Sequence, residues 1–465
     1  MSKSLALALV EPPASGLQEA SEQDNRLRRI DRAAHDWYRF VLSFPPHLVR
    51  AYLERFKIGP RDLVLDPFCG TGTTLVECKK HAIPSLGIEP NPMAAFASRL
   101  KVDWTADADR LVEHASLVAE RASGRLKEQG IGELGDLPLF KPSGGLGAKL
   151  KELPAEAHKL LLTNSISPLP LHKSLVLLET LEEANDHRFA GYERLALARS
   201  LVADIGNLHF GPEVGIGALK TDAPVIESWL KGVKRIAADL PALRVHAHVP
   251  SMVYQEDARQ VGVLLPANSV TAVITSPPYP NEKDYTRTTR LESVLLGFLR
   301  TKKDVRLLKQ RLVRSNTRSV YKSDTDDRLV RDNPTIQALA TEIELRRLEL
   351  GKTSGFERLY PRVTKLYFGG MKRHLMELRQ VLKKGAWLAY VVGDQASYLR
   401  VMIRTGQLLA DIAQSIGYEV VGLDLFRTRL ATATREQLRE EVLVLRWPGL
   451  QTAGHSRPEG GKPYE

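Results

Sequence analysis

A short apolar strand that runs directly into a glycine-rich turn and a helix constrains the fold more than any other part of this sequence. A buried strand is predicted at residues 63–65, and a helix is predicted from Thr74 to about His81. The turn between them is Asp66-Pro67-Phe68-Cys69-Gly70-Thr71-Gly72-Thr73-Thr74. This order brings backbone N–H groups and a helix N-terminus to the carboxyl edge of a parallel sheet, where a polar or anionic group of a cofactor can bind.

The turn also excludes two common classes of cofactor site. It has two glycines one residue apart, but it lacks the third glycine of the dinucleotide fingerprint and the Gly-Lys-Ser/Thr sequence of a P-loop. The two cysteines, Cys69 and Cys78, predict neither a disulfide framework nor a zinc site, and no metal is expected. No apolar run approaches the ~18 residues of a membrane helix, so we expect a cytoplasmic protein.

Acidic residues follow two further predicted strands. The strand at residues 84–88 ends at Glu89, and the strand at residues 249–254 is followed by Gln255-Glu256-Asp257. An acid that closes the second strand of such a unit is placed to bind the two hydroxyls of a ribose. For Glu89 the alternative is a cap for the helix predicted at residues 93–100.

Another apolar run, residues 270–274, ends at Thr275-Ser276-Pro277-Pro278-Tyr279. Each proline fixes its own φ and restricts the residue before it, so the turn is rigid. Because Pro277 and Pro278 have no N–H, nearby carbonyls are free to accept a hydrogen bond from a ligand amine, and Tyr279 can stack on a flat ring. The alternative is an ordinary Pro-Pro turn after a buried strand.

The remaining pattern predicts an α/β protein with a core in three pieces, residues 35–104, 246–284 and 363–447. Strands are predicted at residues 387–393, 418–425 and 441–447, and the short link before the last one favours an antiparallel pairing at the edge of the sheet. Residues 105–245 read as a helical insertion and residues 285–362 as a basic insertion. A disordered leader is predicted at residues 1–34 and a disordered tail at residues 448–465.

Positive charge is concentrated after the proline turn. Residues 285–322 carry eleven Lys and Arg against two acids, a local charge of +9 in a chain whose net charge is +11. A charge run is usually a solvated face, but one of a single sign next to a predicted amine-binding turn favours contact with phosphates. The candidate DNA contacts are Arg287, Arg290, Lys302, Lys303, Arg311, Arg314 and Arg318.

The glycine-rich turn, Glu89, Asp257 and the Ser276-Pro277-Pro278-Tyr279 sequence together resemble the amino-methylating DNA methyltransferases. These enzymes use S-adenosylmethionine to methylate the exocyclic amine of cytosine or adenine. The resemblance implies a class I methyltransferase fold, a Rossmann-like sheet that is mostly parallel with one antiparallel strand near the C-terminus. Here that core would carry two largely helical insertions.

The resemblance also assigns roles to individual residues. It implies that Ser276, Pro277, Pro278 and Tyr279 are catalytic, that Glu89 binds the cofactor ribose, and that Asp257 binds the adenine amine. The methionine part would be held by the turn residues and by an N-terminal element, namely Asp66, Phe68, Gly70, Thr71, Gly72, Thr73, Thr74, Phe44 and Pro45.

In this family, Ser-Pro-Pro-Tyr is commoner with cytosine and Asp- or Asn-Pro-Pro-Tyr with adenine, so the N4 amine of cytosine is the preferred target and adenine N6 the alternative. The target base would be flipped out of double-stranded DNA. In this chain the cofactor turn precedes the proline turn. The sequence of the cofactor turn, however, is typical of family members in which the proline turn comes first. Residues 285–362 are the first candidate for DNA recognition and the helical insertion is the second.

Two other functions are compatible with the sequence. One is methylation of tRNA or another RNA, since Asp-Pro-Phe-Cys-Gly-Thr-Gly also occurs in enzymes that methylate tRNA guanine. The other is a non-catalytic DNA-binding component that retains the cofactor fold. For a DNA methyltransferase, the resemblance further allows a role in restriction–modification or defence, with a cognate restriction or defence-system protein as partner.

Overall fold

The computed structural model describes residues 26–39, 43–132, 150–210, 214–281, 283–430 and 437–449. The strands are β1 (Val64–Asp66), β2 (Ser85–Ile88), β3 (Leu208–Phe210), β4 (Val214–Ile216), β5 (Ser251–Tyr254), β6 (Val270–Thr275), β7 (Leu382–Gly393), β8 (Glu419–Leu430) and β9 (Gln437–Arg446).

The α-helices are α1 (Arg32–His35), α2 (Pro46–Arg55), α3 (Thr73–Lys80), α4 (Pro92–Lys101), α5 (Ala108–Glu128), α6 (Ala155–His158), α7 (Pro168–Glu183), α8 (Ala190–Ser200), α9 (Val225–Leu243), α10 (Val261–Leu264), α11 (Tyr285–Thr288), α12 (Arg290–Leu295), α13 (Lys302–Arg311), α14 (Pro334–Glu349), α15 (Tyr360–Leu378) and α16 (Thr405–Ser415). A π-helical turn spans Leu201–Ile205, and short 3-10 helices span Arg29–Asp31, Arg244–His246, Ala258–Gln260, Thr317–Ser319, Asp326–Val330 and Glu357–Leu359.

Seven strands form one sheet in the order β5-β2-β1-β6-β7-β9-β8. The first five pair in parallel, and β9 is antiparallel to both of its neighbours, β7 and β8. The predicted fold class is confirmed. The predicted edge position of the last strand is wrong, because β9 lies between β7 and β8 and the edge strand is β8. A short link only requires that β8 and β9 be neighbours, and it does not decide which of them is outermost.

Helices cover both faces of this sheet. On one face, α14, α15 and α16 pack their apolar side chains against the central strands, with Tyr367, Phe368 and Met371 fully buried. On the other face, α2 and α3 pack against β1, β6 and β7. Because both faces are covered, the central strand β6 is buried along nearly all of its length, and its carboxyl end lies at the edge where the two sequence motifs lie.

The helical insertion joins the same body. Helices α5, α7, α8 and α9 share one apolar core with α3 and α4, and the insertion also contains a two-stranded hairpin formed by β3 and β4. The second insertion comprises α11 to α14 and the 3-10 helices between them. It packs on α15, where a Cβ at Gly369 would lie 1.9 Å from the backbone oxygen of Asp326. Only glycine allows this approach.

The predicted leader ends earlier than expected. Ala34 is fully buried, and Asp239 of α9 accepts hydrogen bonds from its backbone N–H at 3.2 Å and from the Trp37 indole at 2.8 Å. Asp31 and Ala34 of the predicted leader are therefore buried, whereas Arg26, Arg28, Arg29, Ile30 and Arg32 are exposed. Residues 1–25 and 450–465 of the predicted leader and tail lie outside the described residues. In the part of the chain described, no helix is long and apolar enough to cross a membrane.

Candidate cofactor and amine site

The glycine-rich turn leads from β1 into α3 with two glycines in the left-handed region. Gly70 has a φ of 50° and Gly72 a φ of 82°. A Cβ at Gly72 would also lie 2.4 Å from the hydroxyl oxygen of Ser98 on α4. Glycine is therefore required at position 72 for both its backbone conformation and the close approach of α4.

Asp66, at the end of β1, ties this turn to the proline turn. The buried Asp66 carboxylate accepts hydrogen bonds at Oδ1 from the Thr275 hydroxyl at 2.5 Å and from the Phe68 N–H at 3.1 Å. Its Oδ2 is buried and has no hydrogen-bond partner among the described residues. Burial raises the pKa of Asp66 to about 6. The Thr74 hydroxyl lies nearby but donates to the Ile274 carbonyl at 3.0 Å, so its role is to join α3 to β6.

Glu89 follows β2 and folds back over the turn. Its Oε2 accepts from the Gly70 N–H at 3.0 Å and its Oε1 from the Asn91 N–H at 2.8 Å. Burial raises the pKa of Glu89 to about 7, against the effect of these two bonds. The cap of α4 is Asn91, whose side chain accepts from the Met93 N–H at 3.1 Å, so the alternative assignment of Glu89 as the helix cap is wrong.

Asp257 follows β5 and is held by a buried arginine. Arg259 donates to both carboxylate oxygens, with Nη2 to Oδ2 at 2.7 Å and Nε to Oδ1 at 3.0 Å. The same guanidinium donates from Nη1 to Asp326 at 2.6 Å and from Nη2 to the Gln310 carbonyl at 2.9 Å. Because Asp326 and Gln310 lie in the second insertion, Arg259 links that insertion to the end of β5. The sequence pattern gave no sign of this link.

The proline turn presents its groups at the end of β6. Ser276 donates its hydroxyl to the Val391 carbonyl at 3.1 Å, which leaves the oxygen lone pairs as acceptors. The backbone N–H of Tyr279 donates to the Tyr285 hydroxyl at 3.2 Å. The half-buried Tyr279 ring packs on Gly393, where a Cβ would lie 2.9 Å from the ring. The turn is thus fixed by its neighbours in addition to its prolines.

Phe44 and Pro45, the predicted N-terminal cofactor element, lie beside the glycine-rich turn. They line one pocket with Thr71 and Thr73. The remaining lining side chains include Lys101, Arg39 and His35. The sequence motifs did not predict that these three residues lie beside the turn. The sequence does contain a sign that Lys101 is buried. Met93, Ala97 and Lys101 follow one another at four-residue spacing, which places the lysine on the buried face of α4.

The basic segment separates into exposed and buried members. Lys302, Lys303, Arg311 and Arg318 are exposed, and Arg287 is half-buried. Arg314 is 3% exposed and pairs with Asp324 at 2.8 Å, and Arg290 donates to the Thr286 and Leu160 carbonyls. The assignment of Arg290 and Arg314 as DNA contacts is corrected here, because their guanidinium groups are used inside the protein. A count of charges along the sequence cannot distinguish exposed cations from cations that are bonded inside the protein.

Comparisons with known proteins agree with this arrangement. Residues 18–96, which include β1, the turn and Glu89, match a family model described as DNA methylase. The type II methyltransferase M.BsoBI of Geobacillus stearothermophilus is 26% identical to this chain over 90% of the chain and 84% of its own length. The type II methyltransferase M.AvaI of a Nostoc species is 32% identical over 38% of each chain.

This chain is similar to the amino-methylating DNA methyltransferases over residues 18–96, and to a type II methyltransferase over most of its length. These similarities support the resemblance predicted from the motifs. A solved structure of TrmN from Thermus thermophilus aligns with 86% of this chain and 48% of its own length, at 11% identity and a TM-score of 0.26.

Proposed function

We propose that this protein is a DNA methyltransferase that transfers a methyl group from S-adenosylmethionine to the exocyclic amine of a flipped base, with cytosine N4 as the preferred target. One observation carries the proposal. The 2.5 Å hydrogen bond from Thr275 to Asp66 holds the predicted amine-binding turn and the predicted cofactor turn at adjacent strand ends. A donor methyl group and an acceptor amine would then meet within one site.

The described residues fit the cofactor. The unpartnered Oδ2 of Asp66 is a buried acceptor for the ammonium group of the methionine part. The Glu89 carboxylate has lone pairs left for ribose hydroxyls, and Asp257 Oδ2 has capacity for the adenine amine beside its bonds to Arg259. The cofactor would supply an electrophilic methyl group bound to a sulfonium.

The proline turn would bind and orient the amine. An aromatic amine is a poor nucleophile because its lone pair is delocalised into the ring. Hydrogen bonds from the NH₂ group to Ser276 and to the Pro277 carbonyl would hold the nitrogen towards tetrahedral geometry and localise that lone pair. Fixed acceptors of this kind lower the barrier through positioning and electrostatics. The supported Tyr279 ring would stack on the flipped base and offset part of the cost of unstacking it.

Double-stranded DNA is the proposed partner, with residues 285–362 as its recognition region. The exposed cations that would contact phosphates are Lys302, Lys303, Arg311 and Arg318, with Arg287 nearest the proline turn in sequence. The type II relatives make a cytoplasmic role in restriction–modification or defence part of the same proposal.

Base-resolved sequencing of DNA from cells that express the protein tests this function. The expected result is methylcytosine with the methyl group on N4, in one sequence context, with its loss in a Ser276→Ala, Tyr279→Ala double variant that still binds DNA. Methyladenine instead would change the assigned base. Methylation of tRNA but not of duplex DNA, or DNA binding without any methylation by the unaltered protein, would overturn the proposal.

A further inference from the structure

The pocket beside the glycine-rich turn has an unusual electrostatic character. Among the described residues that line it, Lys101 and Arg39 carry positive charge and none is an acid. Two further lining groups, the Thr71 and Thr73 hydroxyls, are hydrogen-bond donors with 2% and 5% residue exposure. A cavity with cations, donors and no acid is built for an anion.

Lys101 is the buried member of this set. It is 1% exposed, and its ammonium makes one long hydrogen bond, 3.5 Å to the Tyr38 carbonyl. In the described part of the chain, no carboxylate forms an ion pair with it. Lys79 provides the contrast, since this buried lysine donates its ammonium to the Ala247 and Val249 carbonyls at 3.1 and 2.8 Å. The fold therefore satisfies one buried lysine and leaves the other short of partners.

The surroundings of Lys101 disfavour its charge. Burial, followed by the nearby positive charges of Lys80 and Arg39, lowers the pKa of Lys101 to about 7. The other groups that face it are Asp36, the Cys69 thiol and the His35 ring. Burial lowers the pKa of His35 to about 4, so this ring is neutral near pH 7. An ammonium in such a position is strongly stabilised by an anion that enters the pocket.

We infer that Lys101 is the counter-ion for the α-carboxylate of the methionine part of the cofactor. The inference rests on the proposed function, and it extends it to a residue outside the recognised motifs. The ligand is a zwitterion, so it needs an acceptor for its ammonium and a cation for its carboxylate. Asp66 begins the glycine-rich turn and Lys101 lines the pocket beside that turn, so the two residues provide one of each.

Calorimetric titration with S-adenosylhomocysteine and with its decarboxylated analogue tests this assignment. In Lys101→Met, binding of S-adenosylhomocysteine should weaken by about 10- to 100-fold, as for loss of a charged hydrogen bond. Binding of the decarboxylated analogue should stay unchanged. Lys79→Met is the matched control, and it should leave the ratio of the two affinities at the unaltered protein's value. Lys101→Gln provides a second variant if the methionine variant folds poorly.

The pH dependence gives an independent readout. Because the carboxylate requires a protonated Lys101, the affinity of the unaltered protein for S-adenosylhomocysteine should fall above pH 7, and binding at pH 8 should take up a proton. The contribution of Lys101 to both effects should be lost in Lys101→Met, whereas proton exchange by Asp66 and Glu89, whose pKa values are about 6 and 7, should be common to the two proteins. An equal loss of affinity for both ligands, or no loss for either, would overturn the inference alone. Failure of the unaltered protein to bind S-adenosylhomocysteine would overturn the proposed function and this inference together.

Discussion

Glu89 and Asp257 close neighbouring strands of the same sheet, yet the protein holds them in opposite ways. Glu89 bonds only to two backbone N–H groups, and burial raises its pKa to about 7. Asp257 is bound through both oxygens to Arg259, which is itself bound to Asp326. Backbone groups hold the first acid, whereas a buried ion-pair network holds the second. Glu89 and Asp257 look equivalent in the sequence. We nevertheless expect substitutions that remove their contacts to have different effects on the stability of the protein.

The largest expected effect is on Arg259. Replacement by Met would leave Asp257 buried without its cation and Asp326 with Arg373 alone, and breaking a buried pair in this way costs about 3–5 kcal/mol in the free energy of unfolding. Urea denaturation measures this loss. Arg346→Met is the control, since its pair with Glu349 is exposed and should contribute less than about 1 kcal/mol. If Arg259→Met and Arg346→Met lost similar amounts of stability, the ion pairs of Asp257 would not stabilise the fold. The proposed difference between Asp257 and Glu89 would then be contradicted.

A smaller effect is expected from protonation of Glu89. Its pKa rises from an ordinary 4.5 to about 7 on folding, so the folded protein binds this proton more tightly than the unfolded chain. Its contribution to stability therefore falls as the pH rises from 4.5 to 7, by roughly 3 kcal/mol without cofactor. Glu89→Gln should remove that part of the slope in denaturation curves between pH 5 and 8. An unchanged slope would contradict the assigned environment of Glu89.

The same substitution should also weaken cofactor binding. If Glu89 accepts hydrogen bonds from the ribose, Glu89→Gln should reduce the affinity for S-adenosylhomocysteine by about tenfold or somewhat more. Above pH 7 the variant should be at least as stable as the unaltered protein. Titration calorimetry and denaturation on one preparation measure both quantities. A variant with unchanged affinity would place the ribose elsewhere.

The smallest effect concerns the basic segment. Like the pair of acids, this segment contains some charged groups that are bonded inside the protein and others that are exposed. The double variant Lys302→Ala, Lys303→Ala should reduce the slope of log affinity for duplex DNA against log salt by roughly 0.9 for each phosphate that these lysines neutralise. Lys352→Ala is the control, because Lys352 is exposed in the same insertion but pairs with Glu357 at 3.7 Å. Equal slopes for all three proteins would exclude Lys302 and Lys303 from the DNA contacts.

The sequence predicted β1, β2 and β6 well because each is a short, mostly apolar run that ends at or before a polar residue. It also predicted the two turns, since glycine and proline restrict the backbone through local sterics. It did not predict the roles of Arg259 and Lys101 or the internal hydrogen bonds of Arg290 and Arg314. These features depend on contacts between residues distant in sequence, such as Arg259 with Asp326. Such contacts leave no periodic pattern, except for Lys101 on the apolar face of α4.

Gly393 has no side chain, and this allows the Tyr279 ring to pack directly on its backbone. A Cβ at this position would lie 2.9 Å from the Tyr279 ring, so the ring would have to move. Position 393 thus acts as a spacer for the proline turn. A related chain with a larger residue there must either shift its aromatic side chain or receive its base at a different depth.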